Sequence, residues 1–101
     1  MDLSQEEWKI KFEADENAYL LDVRTPEEYD TGHIPGSRLL DIHQAQNFMS
    51  EIQSFDTSKN YYIYCRSGAR SAKACQIMNQ MGIENTYNLL GGFMEWKGDS
   101  V

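Results

Sequence analysis

Cysteine, histidine and proline are scarce in this chain, with two residues of each among 101. Cys65 and Cys75 lack zinc-ligand spacing, and His33 and His43 do not combine with them into a ligand set. So few cysteines do not form the framework of a disulfide-rich secreted protein. We therefore expect no metal, no cofactor and a reducing compartment, the cytoplasm.

Long hydrophobic runs and an excess of positive charge are also missing. No apolar stretch approaches the ~18 residues of a membrane-spanning helix, and the acidic start of the sequence does not resemble a secretory signal. Sixteen acidic residues outweigh nine basic ones, which gives a net charge of −7. Such a surface repels nucleic acid and anionic membranes, so we expect neither as a partner.

The sequence contains enough apolar residues for one modest core, at 41% of its length, and predicts a single domain over residues 1–101. Hydrophobic periodicity and capping residues predict alternating strands and helices. This alternation indicates an α/β fold with a mostly parallel sheet. The predicted helices span residues 5–13, 26–31, 41–53, 71–81 and 93–97, and the predicted strands span residues 19–23, 37–40, 61–64 and 86–90.

The most informative segment is YYIYCRSGARSA at residues 61–72. It predicts an apolar strand that delivers Cys65 to a short loop in front of a helix. Backbone N–H groups and the helix dipole favour negative charge there, which lowers a cysteine pKa. Arg66 and Arg70 in the same loop can bind an oxyanion. Cys65 is therefore the candidate nucleophile, and Cys75, on an apolar helix face, is interpreted as a core residue.

Four segments together resemble the rhodanese-like domain, the sulfurtransferase fold. They are LDVRTPEEY at 21–29, GHIPGS at 32–37, YCRSGARS at 64–71, and LGGF at 90–93 with Trp96. The resemblance covers about residues 19–98 and implies a mostly parallel sheet of four or five strands flanked by helices. The family's first edge strand is missing here or reduced to residues 1–3, which leaves the number of strands open.

The resemblance implies that Cys65 attacks a small anionic sulfur donor such as thiosulfate, or a persulfide donor, and becomes a persulfide. A thiol, cyanide or a protein acceptor then removes the sulfur. This is covalent catalysis in two half-reactions. The substrate-binding residues that it implies are Arg66, Ser67, Gly68, Ala69, Arg70 and Ser71.

Three other functions remain open at this point. A persulfide carrier that serves a partner protein would use the same cysteine. A small phosphatase or arsenate reductase is disfavoured, because the related enzymes have a loop one residue longer than the six residues from Cys65 to Arg70. An inactive interaction module is disfavoured because the cysteine and both arginines are present.

The remaining motif residues have structural interpretations. We expect Asp22 to hold a backbone group or an arginine, and Arg24 to pair with Glu28. His33 is expected to make a structural hydrogen bond. The Gly91–Gly92 pair is expected to permit close backbone approach, with Trp96 packing into the core.

Overall fold

The computed structural model describes all 101 residues. Five strands alternate with four α-helices and a final 3₁₀ turn. The strands are β1 (Asp2–Leu3), β2 (Ala18–Asp22), β3 (Arg38–Leu39), β4 (Asn60–Tyr64) and β5 (Thr86–Leu89). The helices are α1 (Gln5–Glu13), α2 (Pro26–Thr31), α3 (Ala45–Gln53) and α4 (Ala69–Gln80), and the 3₁₀ turn is Phe93–Glu95. None of the helices combines the length and the apolar character needed to cross a bilayer.

All five strands are parallel and lie in the order β1-β5-β4-β2-β3. The predicted α/β class is confirmed, and the edge strand that the sequence left open is present as a two-residue strand. β4 occupies the centre, where a strand is covered on both faces and reads as a continuous apolar run. Its carboxyl end, at Tyr64, is the position where parallel sheets commonly present ligand-binding residues.

The side chains of β4 alternate between two hydrophobic clusters, as the twofold repeat of a strand requires. Tyr61, Ile63 and the following Cys65 belong to one cluster, which α3 and α4 cover. Tyr62 and Tyr64 belong to the other, which is built around Trp8 of α1. The sheet is therefore buried on both faces, and the thiol lies on the α4 side.

The predicted strands differ from the observed ones by one residue at several ends, and three helices differ more. α3 begins at Ala45 rather than near residue 41, because the Asp41 carboxylate accepts the His43 N–H at 2.9 Å and forms a turn. α4 begins at Ala69, two residues early, directly after Gly68. The last predicted helix is a short 3₁₀ turn.

Candidate active site

Cys65 follows the central strand and is completely buried. Its Sγ atom accepts the backbone N–H of Gly68 at 3.1 Å. The Ser71 hydroxyl lies 3.4 Å from the same sulfur, within hydrogen-bonding distance. The sulfur therefore sits among donors at the beginning of α4, as the sequence predicted.

A left-handed glycine makes this arrangement possible. Gly68 precedes α4 with φ of +105°, a conformation that other residues adopt only with strain. Its carbonyl accepts the Ala72 N–H at 3.1 Å in the first turn of the helix. Only four residues, Cys65 to Gly68, therefore separate the strand end from the helix, and Arg70 and Ser71 already belong to the helix.

Opposing effects determine the acidity of Cys65. Burial of the sulfur raises its pKa, because a charged thiolate loses solvation. Hydrogen bonds from the Ser71 hydroxyl and from the amides of Ser71, Gly68 and Ser67 lower it. The donors prevail, and the pKa of Cys65 lies below its ordinary value.

Asn88 on β5 extends this hydrogen-bond network and was missed from the sequence. Its Oδ1 atom accepts a hydrogen bond from the Ser71 hydroxyl. Its Nδ2 atom donates to Oδ1 of Asp2 at 3.0 Å and to the carbonyl of Gly68 at 3.2 Å. An asparagine within a predicted buried strand was a signal that could have singled out Asn88, although not its contact with Ser71.

The Gly91–Gly92 turn holds the outer side of the loop. The N–H groups of Phe93 and Met94 donate to the carbonyls of Cys65 and Arg66, at 2.8 and 2.9 Å. A Cβ atom on Gly92 would collide with the Arg66 carbonyl. The predicted close backbone approach is confirmed at Gly92.

Arg70 is bound to Glu28 of α2. Two guanidinium nitrogens contact the two carboxylate oxygens at 2.7 and 2.9 Å. The Arg70 hydrogen bond is the largest influence on Glu28 and, despite partial burial, brings its pKa to about 2. The predicted pair between Arg24 and Glu28 is wrong. Arg24 instead binds the buried carboxylate of Asp22 at 2.7 Å, because the chain turns at the start of α2 and points Glu28 towards the loop.

Arg66 is exposed and has no carboxylate within salt-bridge distance. It borders a hollow of about 270 Å³ beside the loop. Ser67 and Ala69 are also exposed, whereas Gly68 and Ser71 are buried. The residues lining the hollow are Arg24, Glu28, Thr31, Arg66, Phe93 and Met94.

Comparison with known proteins identifies the family. Residues 4–99 match the family model described as the rhodanese-like domain. The chain belongs to the rhodanese-like domain family. A sulfurtransferase of Allochromatium vinosum is 42% identical over 81 residues, which cover 80% of this chain and 73% of that protein. Thiosulfate sulfurtransferase GlpE of Pseudoalteromonas translucida is 35% identical over 82 residues, which cover 81% of this chain and 75% of that protein.

A solved structure gives the same answer for the fold. The crystal structure of a rhodanese-like domain protein from Staphylococcus aureus superposes with a TM-score of 0.81 at 33% identity. The match covers 97% of this chain and 91% of that protein. The five-stranded parallel sheet flanked by helices is thus the rhodanese-like fold, and the relatives support sulfur transfer of the rhodanese type.

The other predicted residues of this rhodanese-like domain make no hydrogen bond to the Cys65 sulfur. His33 stacks on Tyr29 at 3.6 Å between ring centroids, and its Nδ1 atom lies 2.9 Å from the Tyr29 carbonyl. Cys75 is buried in the core, where burial raises its pKa to about 11. Trp96 is half-buried and packs edge-on against Trp8. The structural interpretations of His33 and Cys75 therefore agree with their surroundings.

Proposed function

We propose that this protein transfers sulfane sulfur through a persulfide on Cys65. The observation that carries the proposal is the Cys65 sulfur, which accepts hydrogen bonds from loop and helix donors at the end of the central strand. A thiolate stabilised in this way needs no general base to activate it. Rhodanese-type sulfur transfer in the relatives makes sulfur the group to test first.

Thiosulfate is the proposed donor. The Cys65 thiolate attacks the outer sulfur of the donor, and a new sulfur–sulfur bond forms as the bond to the sulfonate group breaks. Sulfite leaves with the electron pair of that bond, and the negative charge of the enzyme moves to the terminal sulfur of the persulfide. Cyanide or a thiolate then attacks the terminal sulfur and restores the Cys65 thiolate.

Each residue of the loop has a proposed part in this reaction. The N–H groups from Arg66 to Ser71 surround the transferred sulfur and stabilise its charge, as an oxyanion hole does. The loop contributes through the backbone N–H groups of Ser67, Gly68 and Ala69. The small size of these three residues keeps the entrance to the Cys65 sulfur open. Arg66 orients the donor anion from the hollow, because its charge is free. Arg70 contributes a positive electrostatic field and holds the loop rigid, since its guanidinium is already bound to Glu28.

The same ion pair argues against phosphate as the substrate. A phosphatase of this kind of loop needs an arginine that can grip two oxygens of a tetrahedral anion. In this chain the Glu28 carboxylate already accepts from both terminal nitrogens of Arg70. The short loop of six residues from Cys65 to Arg70 also argues against phosphate as the substrate.

A persulfide carrier that delivers sulfur to a partner protein is the second candidate function. The observation that favours it is a groove of about 260 Å³ between α3 and α4, on the other side of Arg70. Its lining is mostly apolar, with Lys73 and His43 among its polar members. A groove beside the loop gives a protein acceptor a surface to contact, which cyanide does not require.

Intact-mass measurement tests the proposal directly. Exposure to thiosulfate should add the mass of one sulfur atom to the protein, and cyanide should remove it and yield thiocyanate. Cys65→Ser should gain no sulfur, whereas Cys75→Ala should behave as the parent does. Hydrolysis of an aryl phosphate without sulfur uptake from any donor would contradict the proposal. Sulfur uptake that only a protein thiol discharges would favour the carrier.

A further inference from the structure

The single hydroxyl proton of Ser71 has two possible acceptors. The Oγ atom lies 3.4 Å from Cys65 Sγ, and it is also within hydrogen-bonding distance of Oδ1 of Asn88. All three residues are buried, with exposed fractions of 0%, 0% and 2% for Ser71, Cys65 and Asn88. A hydroxyl group donates one proton, so it serves only one of these acceptors at a time.

The amide of Asn88 cannot turn around to avoid this competition. Its Nδ2 atom faces the carboxylate of Asp2 and the carbonyl of Gly68, and both of these groups accept hydrogen bonds. Oδ1 must therefore face Ser71, and an amide oxygen can only accept. The backbone N–H of Asn88 is also fixed, by the Met1 carbonyl at 2.8 Å. Asn88 thus competes with the sulfur for the Ser71 proton.

We propose that Asn88 is a positioning residue, which holds the Ser71 hydroxyl proton while the Cys65 sulfur is uncharged and releases it when the thiolate forms. The inference rests on the proposed function, in which Cys65 alternates between thiolate and persulfide. In the persulfide the charge lies on the terminal sulfur, so the inner sulfur no longer attracts the proton. The hydroxyl then turns back to Asn88.

This arrangement moderates the stability of the thiolate. When the proton turns to the sulfur, the buried Oδ1 atom of Asn88 loses its donor, which is costly away from water. The thiolate is therefore less stabilised than the loop donors alone would make it. A less stabilised thiolate is a better nucleophile, whereas a more stabilised one leaves the persulfide faster. Two charged groups face this network. They are Arg70 from α4 and Asp2 from β1, and Asp2 acts through its hydrogen bond with Asn88.

The test measures the pH dependence of Cys65 alkylation in a Cys75→Ala background. Asn88→Leu, which replaces the amide oxygen and nitrogen by methyl groups and keeps the branching of the side chain, should lower the midpoint by about one pH unit. Sulfur uptake per thiolate should become slower, and discharge to cyanide should become faster. If leucine prevents folding, Asn88→Ala removes the same acceptor without adding bulk and carries the same expectation.

A double-mutant cycle with Ser71→Ala separates this role from a merely structural one. Ser71→Ala alone should raise the midpoint, and Ser71→Ala with Asn88→Leu should match Ser71→Ala alone. An unchanged or raised midpoint in the Asn88 variant overturns the inference, as does a fall that persists without Ser71. The titration needs no sulfur transfer, so the cycle can succeed even if no donor leaves sulfur on Cys65. The absence of sulfur uptake would reject only the proposed function.

Discussion

The two thiols of this protein are almost equally buried, yet their pKa values deviate in opposite directions from that of an ordinary cysteine. Cys65 and Cys75 have exposed fractions of 0% and 5%. Burial raises the pKa of both, and it prevails at Cys75, whose pKa reaches about 11. At Cys65 the donors of the loop and of Ser71 outweigh burial. Burial alone therefore does not determine the acidity of these two thiols, whereas the hydrogen-bond donors around each sulfur distinguish them.

The difference arises from position along one helix. Cys65 lies before α4, where the first N–H groups of a helix have no partner within the helix. Cys75 lies in the middle of α4, where the backbone N–H groups are already bonded, and apolar residues of the core surround it. The same helix thus supplies donors to one thiol and only packing to the other.

Substituting each thiol in turn should give the largest difference in activity. Cys65→Ser should abolish formation of thiocyanate from thiosulfate and cyanide, because the proposed sulfur-carrying atom is lost. Cys75→Ala should retain most of the activity and reduce the free energy of unfolding by about 1–2 kcal/mol, the cost of a small core truncation. Circular dichroism checks that both variants are folded. Equal loss of activity in two folded variants would contradict the assignment.

The two thiols should also titrate far apart. We expect Cys65 to be alkylated with a midpoint below the ~8.5 of a free cysteine. Cys75 should react only slowly, with a midpoint near 11, since its thiolate is buried without comparable donors. Alkylation rates against pH in Cys75→Ala and in Cys65→Ser give each value separately. A Cys65 midpoint at or above the free value would remove the argument from hydrogen-bond donors.

Displacing the loop should lower the sulfur-transfer activity without replacing the Cys65 sulfur. A methyl group in Gly92→Ala would push against the Arg66 carbonyl, so sulfur-transfer activity should fall by about tenfold or more. Gly82→Ala is the matched control. Gly82 also has positive φ, at +91°, but a methyl group there meets no atom within 4 Å. The control should lose stability and keep its activity per folded molecule; equal activity in the two variants would show that the loop tolerates displacement.

Removing the ion pair between Glu28 and Arg70, next to the loop, should have the smallest effect. The pKa of Glu28 is about 2 in the folded protein, below its unfolded value of about 4.3. Its stabilisation is therefore fully present above that unfolded value and is lost as the pH falls towards 2. Glu28→Gln should be about 1 kcal/mol less stable at pH 7, with a difference that shrinks in acid. Urea denaturation at several pH values measures this difference.

Glu28→Gln also sharpens the comparison of the thiols. It removes the carboxylate that neutralises Arg70, so a strong fall in the Cys65 midpoint would mean that arginine charge, and not the hydrogen bonds, sets this thiol apart. We expect only a small change. The alkylation assay in the Cys75→Ala background measures it.

The sequence was sufficient to predict the parts of the site that local pattern controls. An apolar run before Cys65 and a glycine before a helix indicate a strand end next to a helix start, because both features depend on neighbouring residues. The capping residues Thr25 and Pro26 located α2 for the same reason. These segments also carried the resemblance to the rhodanese-like family, which the comparisons confirm.

The parts that were missed depend on contacts between distant residues. Arg24 and Glu28 have helical spacing, but Glu28 finds its partner 42 residues away in Arg70. Asn88 reaches Ser71 across the space between a strand and a helix, and nothing within either segment reports that contact. The strand β1 has only two residues, too few for a period to be recognised.

The parallel sheet also has a consequence for the order of folding. None of its strand pairs can form as a tight hairpin, because parallel neighbours need a crossover between them. Asp2 pairs in register with Asn88, and their side chains bond across 86 residues, so this contact closes almost the longest loop that the chain allows. Long loops are the slow part of assembly. We expect protection of Cys65 from alkylation to appear in the last phase of refolding, after the central strands have paired.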